Sequence, residues 1–241
     1  FPEKQNTVNV NADFIIKNLR LTNPSIDNKN ELRVDINVKP KNFSGVIEKF
    51  SFIINDKAEI KRQLSFSIQN PVLWSPEIPN LYTFNVSLYL GNQLIDEVNR
   101  EVGIFNLNHD NNLTLNNLPF TFRGTTYYLN EAELNKITTF EKTRNDLMLI
   151  KNSGFNAVRF AKAYPNPYAL KYCQQLGLIA LIELPLNSVP DEILSEKEFQ
   201  TRAQNKLKEL VSEYRKFSNA IIFGLGSSYL PNSLAAKNFI N

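Results

Sequence analysis

His109 and Cys173 are the chain's only imidazole and its only thiol. With a single imidazole, a Ser-His-Asp or Cys-His nucleophile is not expected. A His/Cys zinc cluster is not expected either, and a lone Cys leaves no internal disulfide. No metal and no other cofactor is expected. Chemistry then falls to carboxylates, cations and hydroxyls. Arg123-Gly124 and Arg159 stand where short apolar segments are expected to end. A guanidinium at a strand end facing a pocket is costly unless paired, so Arg159 is expected to line a pocket. Glu183 closes the near-continuous apolar run from Leu178 and could face the same way.

The elements that must position these groups differ between the two halves. From Val8 to about Phe105 the apolar period is two. Leu32, Val34, Ile36 and Val38 alternate with Arg33, Asp35 and Asn37, and Tyr82, Phe84, Val86, Leu88 and Leu90 form the longest run before a Gly91-Asn92 turn. Such alternation is what half-buried antiparallel strands require. Several of them within about 100 residues predict an immunoglobulin-like β-sandwich. His109-Asp110-Asn111-Asn112 is a polar break, and the boundary is placed there: residues 1–107 as the sandwich, 108–241 as a second domain.

Beyond the break, strand and helix signals alternate. Phe120–Arg123, Asn156–Phe160, Leu178–Leu184 and Ala220–Gly224 read as strands. Glu141–Asn152, Pro167–Leu176 and Ser195–Lys216 read as helices, the first two ending at Gly154 and Gly177. This order predicts a parallel sheet with right-handed crossovers. No Gly-x-Gly-x-x-Gly follows the first strand, which argues against a dinucleotide fold. Polar groups at strand ends favour a (β/α)8 barrel, whose active site lies at the carboxyl ends of its strands. Four strands are half of such a barrel. Open edges should therefore be covered by residues after Asn241, by a second copy or by a partner, with Val158, Leu181 and Ile222 pointing partly into the interior.

Composition narrows the partners. The chain has 241 residues, 42% hydrophobic and 21% charged, which is ordinary for globular domains. Its 27 basic against 24 acidic side chains give a formal charge of +3, too small an excess to predict nucleic-acid binding. No apolar run approaches the ~20 residues of a membrane-spanning helix. The only methionine is Met148, so the chain is expected to be processed or a piece of a longer one. The compartment stays open, with the periplasm or exterior favoured over the cytoplasm. Asn42, Asn85 and Asn112 begin Asn-x-Ser/Thr triplets, which chance explains in so Asn-rich a chain.

Several segments, in order, resemble glycoside hydrolase family 2, the family of β-galactosidases, β-mannosidases and β-glucuronidases. Leu73-Trp74-Ser75-Pro76-Glu77-Ile78-Pro79-Asn80-Leu81-Tyr82 resembles the signature of its immunoglobulin-like domain, and Gly103-Ile104-Phe105 the segment that closes it. Leu118–Gly124 resembles the entry into its barrel. Asp146–Lys151, Gly154–Arg159, Tyr172–Leu178 and Glu183-Leu184-Pro185 resemble its first barrel helix and the following strands. The resemblance implies a retaining β-glycosidase architecture: a sandwich, then a TIM barrel, here with about four βα units.

The same resemblance exposes a departure. A retaining β-glycosidase uses two carboxyl groups about 5–5.5 Å apart, one acid/base and one nucleophile. In the family the acid/base is the Glu of a Gly-Asn-Glu motif ending the fourth strand. Here that stretch reads Gly226-Ser227-Ser228, with Ser227 at the Asn position and Ser228 at the Glu position. A serine hydroxyl cannot protonate a departing glycosidic oxygen as a carboxylic acid does. No Asp or Glu occurs from Ser227 to Asn241, and the nucleophile strand would lie beyond. Lys162 stands at a family His position, and Tyr127-Tyr128 near another. Arg159 is expected close to the nucleophile. Tyr127, Tyr128 and Tyr164 are candidate sugar platforms, because rings offer flat apolar faces with polar edges. The expected substrate-binding set is Arg159, Lys162, Ser227, Ser228, Tyr127, Tyr128 and Tyr164, with no competent catalytic residue.

Three functions remain open on this reading. The first is a catalytically degenerate family-2-like protein that binds carbohydrate or serves assembly. The second is an active retaining β-glycosidase whose nucleophile lies past Asn241. The third is a structural module packed on a partner.

Overall fold

The structure is a computed structural model, and it describes residues 7–16, 32–54, 60–110, 112–128, 138–230 and 232–240. It divides into two compact units. The first comprises Phe1–Trp74, Asn80–Asn108 and Leu115–Leu118; the second comprises Ser75–Pro79, His109–Thr114 and Pro119–Asn241.

Six strands build the first unit: β1 (Thr7–Ile16), β2 (Leu32–Pro40), β3 (Glu48–Ile54), β4 (Ile60–Gln69), β5 (Tyr82–Leu90) and β6 (Gln93–Val102). They form an antiparallel sheet of order β3-β2-β5-β6 and a β1-β4 ribbon. The period-two pattern holds, since Leu32, Val34, Ile36 and Val38 are buried and the residues between them are half-buried. Their inward faces meet Phe66 and Ile68 of β4, with the Phe50 and Phe66 rings 4.4 Å apart. A sandwich results, as expected. Trp74 is fully buried, and Gly103 makes room for it: a Cβ there would lie 2.7 Å from the indole ring. Trp74 N–H also donates to the Ile104 carbonyl at 2.7 Å. Two segments 29 positions apart in sequence are thus fitted to each other.

Three two-residue strands follow, β7 (Leu107–Asn108), β8 (Thr114–Leu115) and β9 (Leu118–Pro119). Asn116 and Asn117 turn the chain between the last two at positive φ, which asparagine tolerates better than most residues.

In the second unit, β10 (Gly124–Tyr128), β11 (Ala157–Ala161), β12 (Ile179–Glu183) and β13 (Ala220–Gly224) lie parallel in sequence order. The helices are α1 (Thr138–Asn152), α2 (Pro167–Leu176), α3 (Asp191–Leu194), α4 (Lys197–Tyr214) and α5 (Leu234–Ile240). Asn166 caps α2 by accepting from Tyr168 N–H at 2.9 Å, Pro167 takes its first turn, and Gly177 ends it at φ +75. Val158, Phe160, Ala180 and Ile182 face the helices, packed with Leu147, Leu170, Cys173 and Leu210.

Three expectations are corrected. The first parallel strand is Gly124–Tyr128, and residues 121–123 are a lead-in. The buried Asn156 side chain holds that lead-in, accepting from Arg123 N–H at 2.7 Å and donating to the Thr121 carbonyl at 2.9 Å. Arg123 therefore sits at the amino end of the sheet, away from the active-site end of a barrel. Val158 is on the helix-facing layer, because it shares the two-residue period of Phe160; the opposite face carries Arg159. The third helix signal, Ser195–Lys216, forms α4, and the short α3 precedes it outside that range.

Candidate functional site

The carboxyl ends of the four parallel strands carry the polar residues. On β11, Arg159 pairs in register with Thr126 of β10 and Leu181 of β12. Two residues beyond Leu181 on the same face is Glu183. Arg159 Nε donates to Glu183 Oε2 and Nη2 to Oε1, both at 2.9 Å. This fork engages both carboxylate oxygens, the strongest geometry such a pair has. The Glu183 side chain is only 4% exposed and that of Arg159 32%. The costly guanidinium has its carboxylate. Glu183 closes an otherwise apolar strand, and the two-residue period from Leu181 is the signal that places it beside Arg159.

The turns after β12 and β13 are laced together. Ser227 N–H donates to the Leu186 carbonyl at 2.8 Å, and Ser188 N–H to the Ser227 carbonyl at 3.1 Å. Ser227 Oγ donates to Asn187 Oδ1 at 3.2 Å. Gly226, at φ +118, permits this approach: a Cβ there would stand 2.3 Å from the Leu186 carbonyl oxygen. Ser228 follows at φ +60, exposed. Gly224 similarly leaves room for Glu183, whose Cβ would be 3.1 Å from one added there. Tyr229 O–H donates to the Leu225 carbonyl at 2.6 Å. Burial pushes the Tyr229 phenol up, and the nearby Glu183 charge adds to the rise. Asn187 and Tyr229 were not singled out from the sequence; no spacing marks them, because loop geometry brings them in.

The tyrosines separate. Tyr127 faces the helix layer: its ring meets Phe160 edge-on at 6.0 Å, and its hydroxyl donates to Asp146 Oδ2 at 2.7 Å. Asp146 of α1 thus holds the Tyr127 hydroxyl. Tyr164 also turns toward the helices, 6.4 Å from the Tyr214 ring, and burial pushes its phenol up. Tyr128 alone is on the Arg159 face, 63% exposed, with the Lys162 ammonium 5.2 Å from its ring centroid. Lys162, Ser188 and Ser228 follow β11, β12 and β13 at φ +69, +54 and +60. Side chains in the left-handed region at three successive strand ends are local strain of the kind that gathers at functional sites.

Arg159, Glu183, Ser227, Asn187 and Tyr229 therefore occupy one end of the sheet, with Lys162 just beyond β11 and Tyr128 the last residue of β10. Within this set, the one carboxylate is already bound. Among the described residues, no group of three or more His, Cys, Asp or Glu is placed to hold a metal ion.

Comparison with known proteins agrees with this architecture. The sequence profile of glycosyl hydrolases family 2 matches residues 3–104, and that of the family's TIM barrel domain matches residues 107–220. A "Putative beta-glucuronidase" of Formosa agariphila is 31% identical over 209 residues, which is 85% of this chain and 25% of that protein. A β-galactosidase of Leuconostoc mesenteroides is 32% identical over 174 residues, 68% of this chain and 16% of its own. The chain thus spans about a quarter of the length of the first of these relatives, and less of the second. The fold of a Parabacteroides merdae β-glucuronidase matches 99% of this chain and 30% of its own, with a TM-score of 0.71 at 18% identity. Two consecutive profiles of one family, matched in order, leave one conclusion: the chain belongs to glycosyl hydrolase family 2.

Proposed function

We propose that this chain is a catalytically degenerate member of its family, retained for binding carbohydrate or for assembly. The feature that supports the reading is the turn after β13, where the resemblance sets Ser227 and Ser228 against the family's Asn and acid/base Glu. The neighbouring carboxylate supports it. Both Glu183 oxygens accept from Arg159, so neither is free to hand a proton to a leaving group. On this reading, residues 1–107 are the sandwich and 108–241 the first barrel half. Polar groups at the strand ends, the exposed Lys162 and Ser228 and the half-buried Ser227 among them, offer contacts to sugar hydroxyls. The β-glucuronidase and β-galactosidase relatives suggest which sugars to try first.

The alternative, an active retaining β-glycosidase whose nucleophile is supplied by further sequence, needs a free acid, and among the described residues these strand ends hold only the Arg159-bound Glu183. The test pairs binding with turnover. Isothermal titration with methyl β-D-glucuronide and methyl β-D-galactoside, followed by chromatography of the mixture, should show saturable binding and unchanged glycoside. Hydrolysis of either would overturn the proposal.

A further inference from the structure

The edge of the sandwich sheet supports an inference that lies apart from the sugar chemistry. Among the described residues, β6 has β5 as its only strand neighbour, and the chain on both sides of it, residues 60–110, is all described. From Gln93 to Arg100 every residue is exposed. Leu88 of β5 pairs with Asp96 and Tyr89 with Leu94, so Ile95 is a bulge and the regular ladder begins at Asp96. Asp96, Val98 and Arg100 then lie opposite Leu88, Val86 and Phe84, on the face that carries the core. Charges on that face of an edge strand, with a bulge beside them, keep most strands from pairing there. They also define which strand fits.

A second copy brings the same strand, and symmetry limits how it can lie. Opposed residues of an antiparallel pair share a face, so a two-fold axis relating the strands must pass through a residue, not between two. An axis at Asp96, Glu97 or Arg100 would set a charge against itself. At Asn99 it would set Glu97 against Glu101 of the second copy. Within Asp96–Arg100, only an axis at Val98 opposes no like charges. There Asp96 faces Arg100 of the second copy, twice by symmetry, while Glu97 faces Asn99 and the two Val98 residues face each other. Directly opposed unlike charges favour pairing, and like charges disfavour it. Glu97 and Glu101 are engaged within the chain, by Asn85 and Lys41, so the Asp96–Arg100 pairs decide the register. We propose that β6 pairs with β6 of a second copy, antiparallel about a two-fold axis at Val98, in one sheet continuous across two sandwiches.

The test traps the dimer at its axis. Cys173 is fully buried, so Val98→Cys supplies the one accessible thiol. Opposed Cα atoms of an antiparallel pair lie about 4.5–5.5 Å apart, within disulfide reach. Oxidation of the 241-residue Val98→Cys chain with copper phenanthroline should give a linked dimer at least tenfold faster than Leu94→Cys, whose counterpart across the axis is Val102. In the Val98→Cys background, Asp96→Arg or Arg100→Asp alone should slow trapping tenfold or more, because each sets like charges face to face. Mixing those two chains should restore trapping and link one of each. Association through β10 or β13 would be indifferent to these charges. Sedimentation equilibrium of the same charge variants without the cysteine keeps the test if that substitution disturbs the strand: each alone should move toward monomer, and their mixture back. Equal trapping at Leu94 and Val98, no trapping at Val98 in a chain that melts like the parent, or association that neither charge variant changes would overturn the proposal. Each of these leaves the degenerate-glycosidase reading standing, because that reading is tested by binding and turnover.

Discussion

Among the described residues, Glu183 is the only carboxylate at the strand ends beside Arg159, and its environment determines what it can do. It is almost fully buried and held by two hydrogen bonds from one guanidinium. Truncating the partner should therefore be expensive: Arg159→Ala leaves a buried charge unpaired and should cost about 3–5 kcal/mol. Replacing both residues, Arg159→Met with Glu183→Leu, should cost far less, because no buried charge is left behind. Urea midpoints of the two variants check this, and equal losses would mean that the pair is not the electrostatic unit described. Tyr214 gives a second prediction. Burial pushes its phenol up to about 12, against about 10 in an unfolded chain. Between those values the folded chain keeps a proton that the unfolded chain has lost, so this contribution to stability is full below about pH 10 and is lost as pH rises toward about 12. Tyr214→Phe also gives up the hydrogen bond to the Pro165 carbonyl, so it should be less stable than the parent at neutral pH, by about 1 kcal/mol. That gap should narrow between pH 10 and 12, as urea midpoints at pH 9 and 11.5 would show.

Helix ends and strand ends show where the sequence could and could not be read. Asn166, Pro167 and Gly177 bound α2 at the residues their chemistry indicates, and the two-residue period of β2 survives intact in the sandwich. The start of β10 was misplaced because Phe120–Arg123 looks like a strand locally; what decides it is Asn156, more than thirty residues on, bonding to that segment's backbone. The site divides in the same way. Ser227, Ser228 and Arg159 could be found from motif order, whereas the inward or outward sense of Tyr127 and Tyr128 depends on register, which neighbouring tyrosines do not reveal. Asn187 and Tyr229 enter through loop closure and left no sequence signal. Glycines at element ends test the packing directly. Gly154 and Gly177 both have positive φ, but a Cβ on Gly154 meets nothing within 4 Å, whereas one on Gly177 would stand 2.2 Å from the Pro76 carbonyl oxygen. Lys151 Nζ donates to that same oxygen at 2.7 Å and to the Gly177 carbonyl at 3.1 Å, so the backbone there is tied on both sides. Gly154→Ala should cost about 1–2 kcal/mol, the backbone term alone. Gly177→Ala should cost clearly more, and thermal melts of the pair would show whether it does.

The chain combines a sandwich with four parallel strands of a barrel and carries a formal charge of only +3. Among the described residues, β10 and β13 each have a strand neighbour on one side only. Unpaired edges invite further strands, so light scattering on the 241-residue chain should show association that grows with concentration. The family's architecture is kept, and on the proposed reading Ser228 stands at its acid position, so that the fold outlived the chemistry. The most direct measurement uses the longest natural protein that contains these residues, and follows methyl and 4-nitrophenyl β-D-glucuronides and β-D-galactosides from pH 4 to 8. The account predicts no hydrolysis of the methyl glycosides, whose poor leaving groups require an acid, and the same result for Glu183→Gln. Hydrolysis of a methyl glycoside by the parent protein that Glu183→Gln abolishes would contradict it, by showing that Glu183 had taken over the missing acid's work.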